Sequence, residues 1–186
     1  LGFSEYVDKR SVKDAIFISP AIDGELELNW SGRNVEVTFP ATLNENTTYV
    51  INIGTDVVDY NNKNRMAQSF SFTFSTGDKI DRRIISGRVY DEKPAGIMMF
   101  GYKLDTAVVN PSVLKPYYVS QCGNDGSYAL RGLSAGTYRI FAVKDEFRDL
   151  LYNVEQDKIG VPPYDVVLSE EDSIYTGLDF FLTQKD

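Results

Sequence analysis

The sequence predicts an all-β chain folded as two tandem β-sandwich domains. Apolar and polar residues alternate at period two in most segments, turn residues recur about every 8–12 positions, and no long stretch carries a helical period. The 186 residues are 42% hydrophobic and 13% aromatic, enough apolar side chain for two small packed cores.

In the N-terminal part the alternation gives each strand one apolar and one wet face. Leu26, Leu28 and Trp30 alternate with Glu25, Glu27 and Asn29, and Val35, Val37 and Phe39 with Asn34, Glu36 and Thr38. Tyr49, Ile51 and Ile53 alternate with Val50 and Asn52, and Phe70, Phe72 and Phe74 with Ser69, Ser71 and Thr73. Ser31-Gly32-Arg33-Asn34 reads as a short hairpin turn, while Pro40 to Thr47 and Asp59 to Asn64 read as loops. Ser11 to Ala15 suggests a helical turn with Ser11 at its N-cap.

Gly77-Asp78-Lys79 is a short linker, which places the domains at residues 1–79 and 80–186. Beyond it, Ile84 to Tyr90 and Ile97 to Leu104 are strands joined through the Pro94 and Gly96 turn, and Tyr117 to Cys122 is a third. From Gly123 to Val143, two glycine turns flank alternating residues, with Tyr128 and Leu130 opposite Ser127, Ala129 and Arg131. That pattern predicts an antiparallel hairpin. Gly177 to Thr183 closes a set of about seven strands.

Composition excludes several functions. A net charge of −8 leaves no basic face for phosphate neutralisation, so nucleic acid is not an expected partner. The chain has no histidine, which removes the usual general base and most catalytic zinc sites. The single cysteine, Cys122, cannot form an internal disulfide and reads as a small core residue. No run reaches the length of a membrane span, and Leu1 is neither an initiator Met nor part of a signal peptide. The expectation is therefore a fragment or processed product whose targeting information lies upstream.

Two family resemblances follow from motif order. Phe3-Ser4-Glu5-Tyr6-Val7-Asp8, Ile16 to Pro20, Leu43 to Tyr49, Asp59 to Asn62 and Phe72-Thr73-Phe74-Ser75-Thr76-Gly77 together resemble a bacterial Ig-like domain of S-layer and envelope proteins. The resemblance implies a further first strand, and its lack here implies an incomplete N-terminal edge. Ile85 to Tyr90, Asp125-Gly126-Ser127-Tyr128, Gly132-Leu133 and Ala135 to Ala142 resemble a carboxypeptidase-regulatory-like domain. This is the prealbumin or transthyretin-like sandwich, similar to collagen-adhesin B-type repeats, and it implies a spacer or binding platform. Together they imply a non-enzymatic module of the cell envelope, outer-membrane-anchored or secreted, with an envelope protein or a glycan as partner.

Several residues invite a chemical reading. The acidic loop after Val143 carries Asp145, Asp149, Glu155 and Asp157, which could hold calcium weakly, although Phe147 and Asn153 break the ligand pattern that the resemblance implies. No other cofactor is expected. Tyr117, Tyr118 and Tyr164 sit in proline-flanked aromatic loops able to stack on a sugar or a protein, which makes a carbohydrate-binding accessory module the alternative function. Glu5 with Asp8 or Asp14, and Glu170 with Asp172, are acid pairs open to a hydrolase reading, against which stands a capping and solvating role. Lys103 and Asn110 are conceivable donors to an internal isopeptide bond, but no Glu sits mid-strand in an apolar setting to assist it.

Overall fold

A computed structural model describes residues 1–40, 42–105, 108–171 and 173–183. Its elements are α1 (Lys9–Asp14), β1 (Ile16–Ser19), β2 (Glu27–Ser31), β3 (Asn34–Thr38), β4 (Thr48–Ile53), β5 (Phe70–Ser75), β6 (Arg83–Tyr90) and β7 (Met98–Lys103). They continue with β8 (Tyr118–Gln121), β9 (Ser127–Leu133), β10 (Gly136–Lys144), β11 (Lys158–Gly160), β12 (Val166–Leu168), β13 (Ile174–Tyr175) and β14 (Phe180–Phe181). The all-β expectation holds.

The N-terminal sandwich faces a sheet of order β1-β4-β5 against the β2-β3 hairpin. Ile51, Ile53, Ile16 and Ile18 from the first layer meet Leu28, Trp30, Val37 and Phe39 from the second in one core. The hairpin turns where the sequence predicts, with Ser31 opposite Asn34 and Gly32 at a φ of 59° that a side chain would resist. The short helix is capped one turn earlier than the sequence reading places it. Asp8, not Ser11, is the N-cap and accepts from the Arg10 and Ser11 backbone N–H groups. Ser11 instead donates its hydroxyl to Asp8 O and accepts from Val58 N–H, tying the helix to a neighbouring segment. Along one side the sandwich is open. Val35, Val37 and Phe39 face Ile51, Phe72 and Phe74 across a groove of about 510 Å³, which leaves Phe72 48% exposed.

The C-terminal sandwich stacks β11-β10-β7-β8, with β12 also on β10, against a sheet in which β6 pairs with β9, β13 and β14. Its core holds Ile85, Met99, Tyr128, Leu130, Tyr138, Ile140 and Phe180. Nine short strands appear here among the described residues, where the sequence reading expects about seven. The predicted Gly123–Val143 hairpin does not form: β9 pairs with β6, whereas β10 pairs with β7, β11 and β12. The Gly132–Gly136 turn therefore carries the chain from one sheet to the other, an arch rather than a hairpin. The face expectation within β9 holds, with Tyr128 and Leu130 buried and Arg131 exposed.

The β7-β10 sheet is buried on both faces. Met98, Phe100, Tyr102, Phe141 and Val143 on its outer face are covered by Val109, Leu150, Tyr152 and Ile159, and by Phe17 from β1. Strand β4 is likewise buried at all six positions, which overturns the wet face expected for Val50 and Asn52. These are 3% and 2% exposed because the C-terminal sandwich lies against them.

Candidate functional site

The acidic loop uses its carboxylates on its own backbone. Asp145 accepts N–H bonds from Leu150 at 2.9 Å and Asp149 at 3.3 Å, and Asp157 accepts from Asn153 at 2.7 Å and Glu146 at 3.0 Å. Asp149 accepts from Leu151 N–H, and the Glu155 side chain is exposed. These bonds hold Arg148 and Leu150 at positive φ and let Leu150 and Tyr152 fold onto the β7-β10 sheet. Asp145, Asp149, Glu155 and Asp157 thus do not converge, and no group of three or more acids or thiols able to hold a metal ion occurs among the described residues. Desolvation raises the Asp145 pKa, because burial disfavours its charged form.

The three tyrosines also separate. Tyr117 is 57% exposed, but Tyr118 is 6% exposed, points into the C-terminal core and packs edge-on against Tyr138. Tyr118 begins β8, whose four residues are all buried because both faces of the strand are covered: Tyr118 packs in one core cluster and Val119 in the other. Tyr118 is therefore not the exposed stacking residue that the sequence predicts. Tyr164 is 48% exposed and hydrogen-bonds through its hydroxyl to the Tyr175 hydroxyl at 2.6 Å.

What the structure does bring together is a polar seam between the sandwiches. Gln121, 2% exposed on β8, donates through Nε2 to the Asp56 carboxylate at 3.1 Å and accepts through Oε1 from Asp56 N–H at 3.3 Å. Arg148 reaches the same carboxylate at 3.2 Å, and Arg65 pairs with its other oxygen. Burial and the nearby Arg148 charge lower the Arg65 pKa. Gly54 makes room, since an added Cβ would collide with the Gln121 side chain. Around this hub, Val119 N–H donates to Ser19 Oγ, Thr55 Oγ1 donates to Cys122 O, and Asn124 N–H donates to Ala67 O. The free edge of β8 is thereby covered, which satisfies backbone groups that an edge strand otherwise leaves open.

Residues 1–76 match the bacterial Ig-like domain family. No curated protein and no solved structure matches the chain. The match ends just after β5, so it spans the whole N-terminal sandwich and none of the C-terminal one. Ig-like domains of this family are typical of bacterial surface and cell-envelope proteins and are in general non-enzymatic. No helix among the described residues is long and apolar enough to cross a membrane.

Within the N-terminal sandwich the acids have structural work. Asp8 caps α1 and pairs with Lys63 at 3.0 Å, and that hydrogen bond lowers its pKa. Glu5 is exposed, and Asp14 pairs with Arg10 at 3.8 Å. Trp30 stacks on Phe3 within the core cluster. In the C-terminal sandwich Glu170 is exposed, and its proposed partner Asp172 lies outside the described residues. Lys103 donates to Ser134 Oγ, and the Asn110 side-chain oxygen accepts from Ser112 N–H. Cys122 is fully buried, and burial pushes its thiol pKa far up, which leaves it inert as a nucleophile.

The sequence reading missed Asp56 and Gln121. Each is a lone polar residue in an ordinary strand or turn context, and only their partner across the seam gives them meaning. The nearest local signal was Gly54-Thr55-Asp56, a turn between two apolar runs.

Proposed function

We propose that the chain comprises an Ig-like domain at residues 1–79 and a carboxypeptidase-regulatory-like, transthyretin-type domain at residues 80–186, which act together as a non-catalytic spacer in the bacterial cell envelope. The two-sheet sandwich of residues 83–181 supports the second assignment. The role is structural presentation or adhesion on an outer-membrane-anchored lipoprotein or a secreted protein, with an envelope component as partner.

The observation that carries this reading is the seam. Asp56 is met by Gln121 and Arg148 of the C-terminal sandwich at 3.1 and 3.2 Å, and β4 is buried on both faces. A spacer transmits position only when its modules do not swivel, and buried, hydrogen-bonded contacts across a short linker restrain that motion. The aromatic-loop reading loses support because Tyr118 is inside.

Differential scanning calorimetry tests the coupling. The intact chain is expected to unfold in one transition, and Asp56→Ala to lose about 1.5–3 kcal/mol, the value of hydrogen bonds to a charged group, while splitting the transition in two. Two independent transitions in the wild-type chain would count against a rigid spacer.

A further inference from the structure

We infer that the C-terminal sandwich is a mechanical clamp, built to hold when tension is applied along the chain. The inference deepens the spacer reading and rests on it for the source of the tension, since a spacer that presents a partner is pulled from both ends.

The clamp follows from which strands open and close the sandwich. Strand β6 is the first after the linker, and β13 and β14 are the last. These end strands are neighbours and run parallel, with Ile174 opposite Ile84, Tyr175 opposite Ile85, Phe180 opposite Val89 and Phe181 opposite Tyr90. In a parallel pair the start of one strand and the end of the other lie at opposite ends of the ladder. Tension entering at Arg83 and leaving after Phe181 therefore slides the strands past each other and loads every bond between them at once. Antiparallel end strands would instead open one bond at a time.

The bonds that share this load run along β6. Ile84 N–H donates to Ser173 O at 3.1 Å, Leu178 N–H to Ser86 O at 3.2 Å and Arg88 N–H to the Asp179 carboxylate at 2.8 Å. The segment between β13 and β14 thus stays tied to β6 rather than leaving a gap in the ladder. Leu178 and Phe180 are buried in the core, and the Tyr128 hydroxyl donates to Leu178 O at 2.7 Å. Gly87 permits this approach, because a Cβ there would strike Leu178 O. Beyond β14, Thr183 and Ile159 of β11 exchange backbone bonds at 2.9 and 2.8 Å, which ties the end of the closing segment to the other sheet. Sliding requires these bonds to fail together, which slows forced unfolding, a process governed by the unfolding rate.

Single-molecule stretching of the whole chain tests the clamp by changing only where force is applied. Handles at Lys79→Cys and Thr183→Cys load the end strands in shear, whereas handles at Glu92→Cys and Thr183→Cys pull both strands from the same end and unzip them. These positions are exposed and Cys122 is fully buried, so the introduced thiols take the handles. The shear geometry is expected to need severalfold more force. Asp179→Ala, which removes the bond to Arg88 N–H, is expected to lower the shear force and leave the unzipping force near its wild-type value, because unzipping starts at the Phe181 end. Equal forces in the two geometries of the otherwise wild-type chain, or a shear force unchanged in Asp179→Ala, would overturn the inference. Calorimetric coupling of the sandwiches plays no part in this comparison: two thermal transitions with unequal forces leave the clamp standing without a rigid spacer, and one transition with equal forces removes the clamp alone.

Discussion

At the residue scale, ionised side chains in this protein act on geometry more than on chemistry. Asp8 starts a helix, Asp145 and Asp157 hold a loop, and Asp165 receives a two-pronged hydrogen bond from Arg139 at 2.7 and 2.8 Å. Arg139 holds the Asp165 carboxyl below the usual carboxylate range. Because the folded pKa is depressed, the pair stabilises above the unfolded value of about 3.9 and that contribution is lost as pH falls through the folded pKa. Both side chains are about one-third exposed, which limits the effect to about 0.5–1 kcal/mol. Asp165→Asn is accordingly expected to lower stability by that amount at pH 7 and to converge with wild type as urea titrations are repeated below about pH 4. A difference that persists unchanged into acid would assign the effect to packing instead.

At the element scale, the instructive case is the turn between β9 and β10. Gly132 and Gly136 supply the backbone freedom for a reversal, and the alternating residues on both sides promise paired strands. A reversal that stays in one sheet and one that crosses between sheets make similar local demands, so the turn residues do not choose between them. The choice falls to Tyr138 and Ile140, which must face Leu130 and Ile85 across the core rather than sit beside them. Gly132 also touches the seam: its φ is 68°, and an added Cβ would collide with Val50 on β4. Gly132→Ala is predicted to cost about 1–3 kcal/mol in urea unfolding, the range for overpacking. Val50→Ala in the same chain is expected to recover the steric part but not the part due to positive φ, a non-additivity that a double-mutant cycle reads directly.

At the scale of the whole molecule, the two sandwiches depend on one another for burial. Val50, Asn52, Thr48 and Ser19 are 7% exposed or less in the chain, and Phe17 belongs to the cluster over the β7-β10 sheet. Residues 1–79 expressed alone would uncover that surface. The fragment is expected to bind the dye ANS and to lose that fluorescence when residues 80–186 are added, whereas a fragment as dye-silent as the intact chain would show that the seam contributes little.

The amino-acid sequence alone determined that this protein is all β, where most strands of the N-terminal sandwich lie, and how the Ser31–Asn34 hairpin turns, because alternation and turn chemistry act over a few residues. It also determined the buried face of β9. Only the tertiary structure decided the rest. It placed β9 and β10 in different sheets, buried Tyr118, turned Asp145 and Asp157 onto backbone N–H groups, and made Asp56 and Gln121 the joint between sandwiches. The physical reasons lie beyond local pattern: packing across the core places the two strands and Tyr118, and hydrogen-bond partners decide the acids and Gln121. A polar side chain looks the same in sequence whether water or a distant backbone satisfies it, and the partner that decides lies about 65 residues away in the case of Asp56 and Gln121.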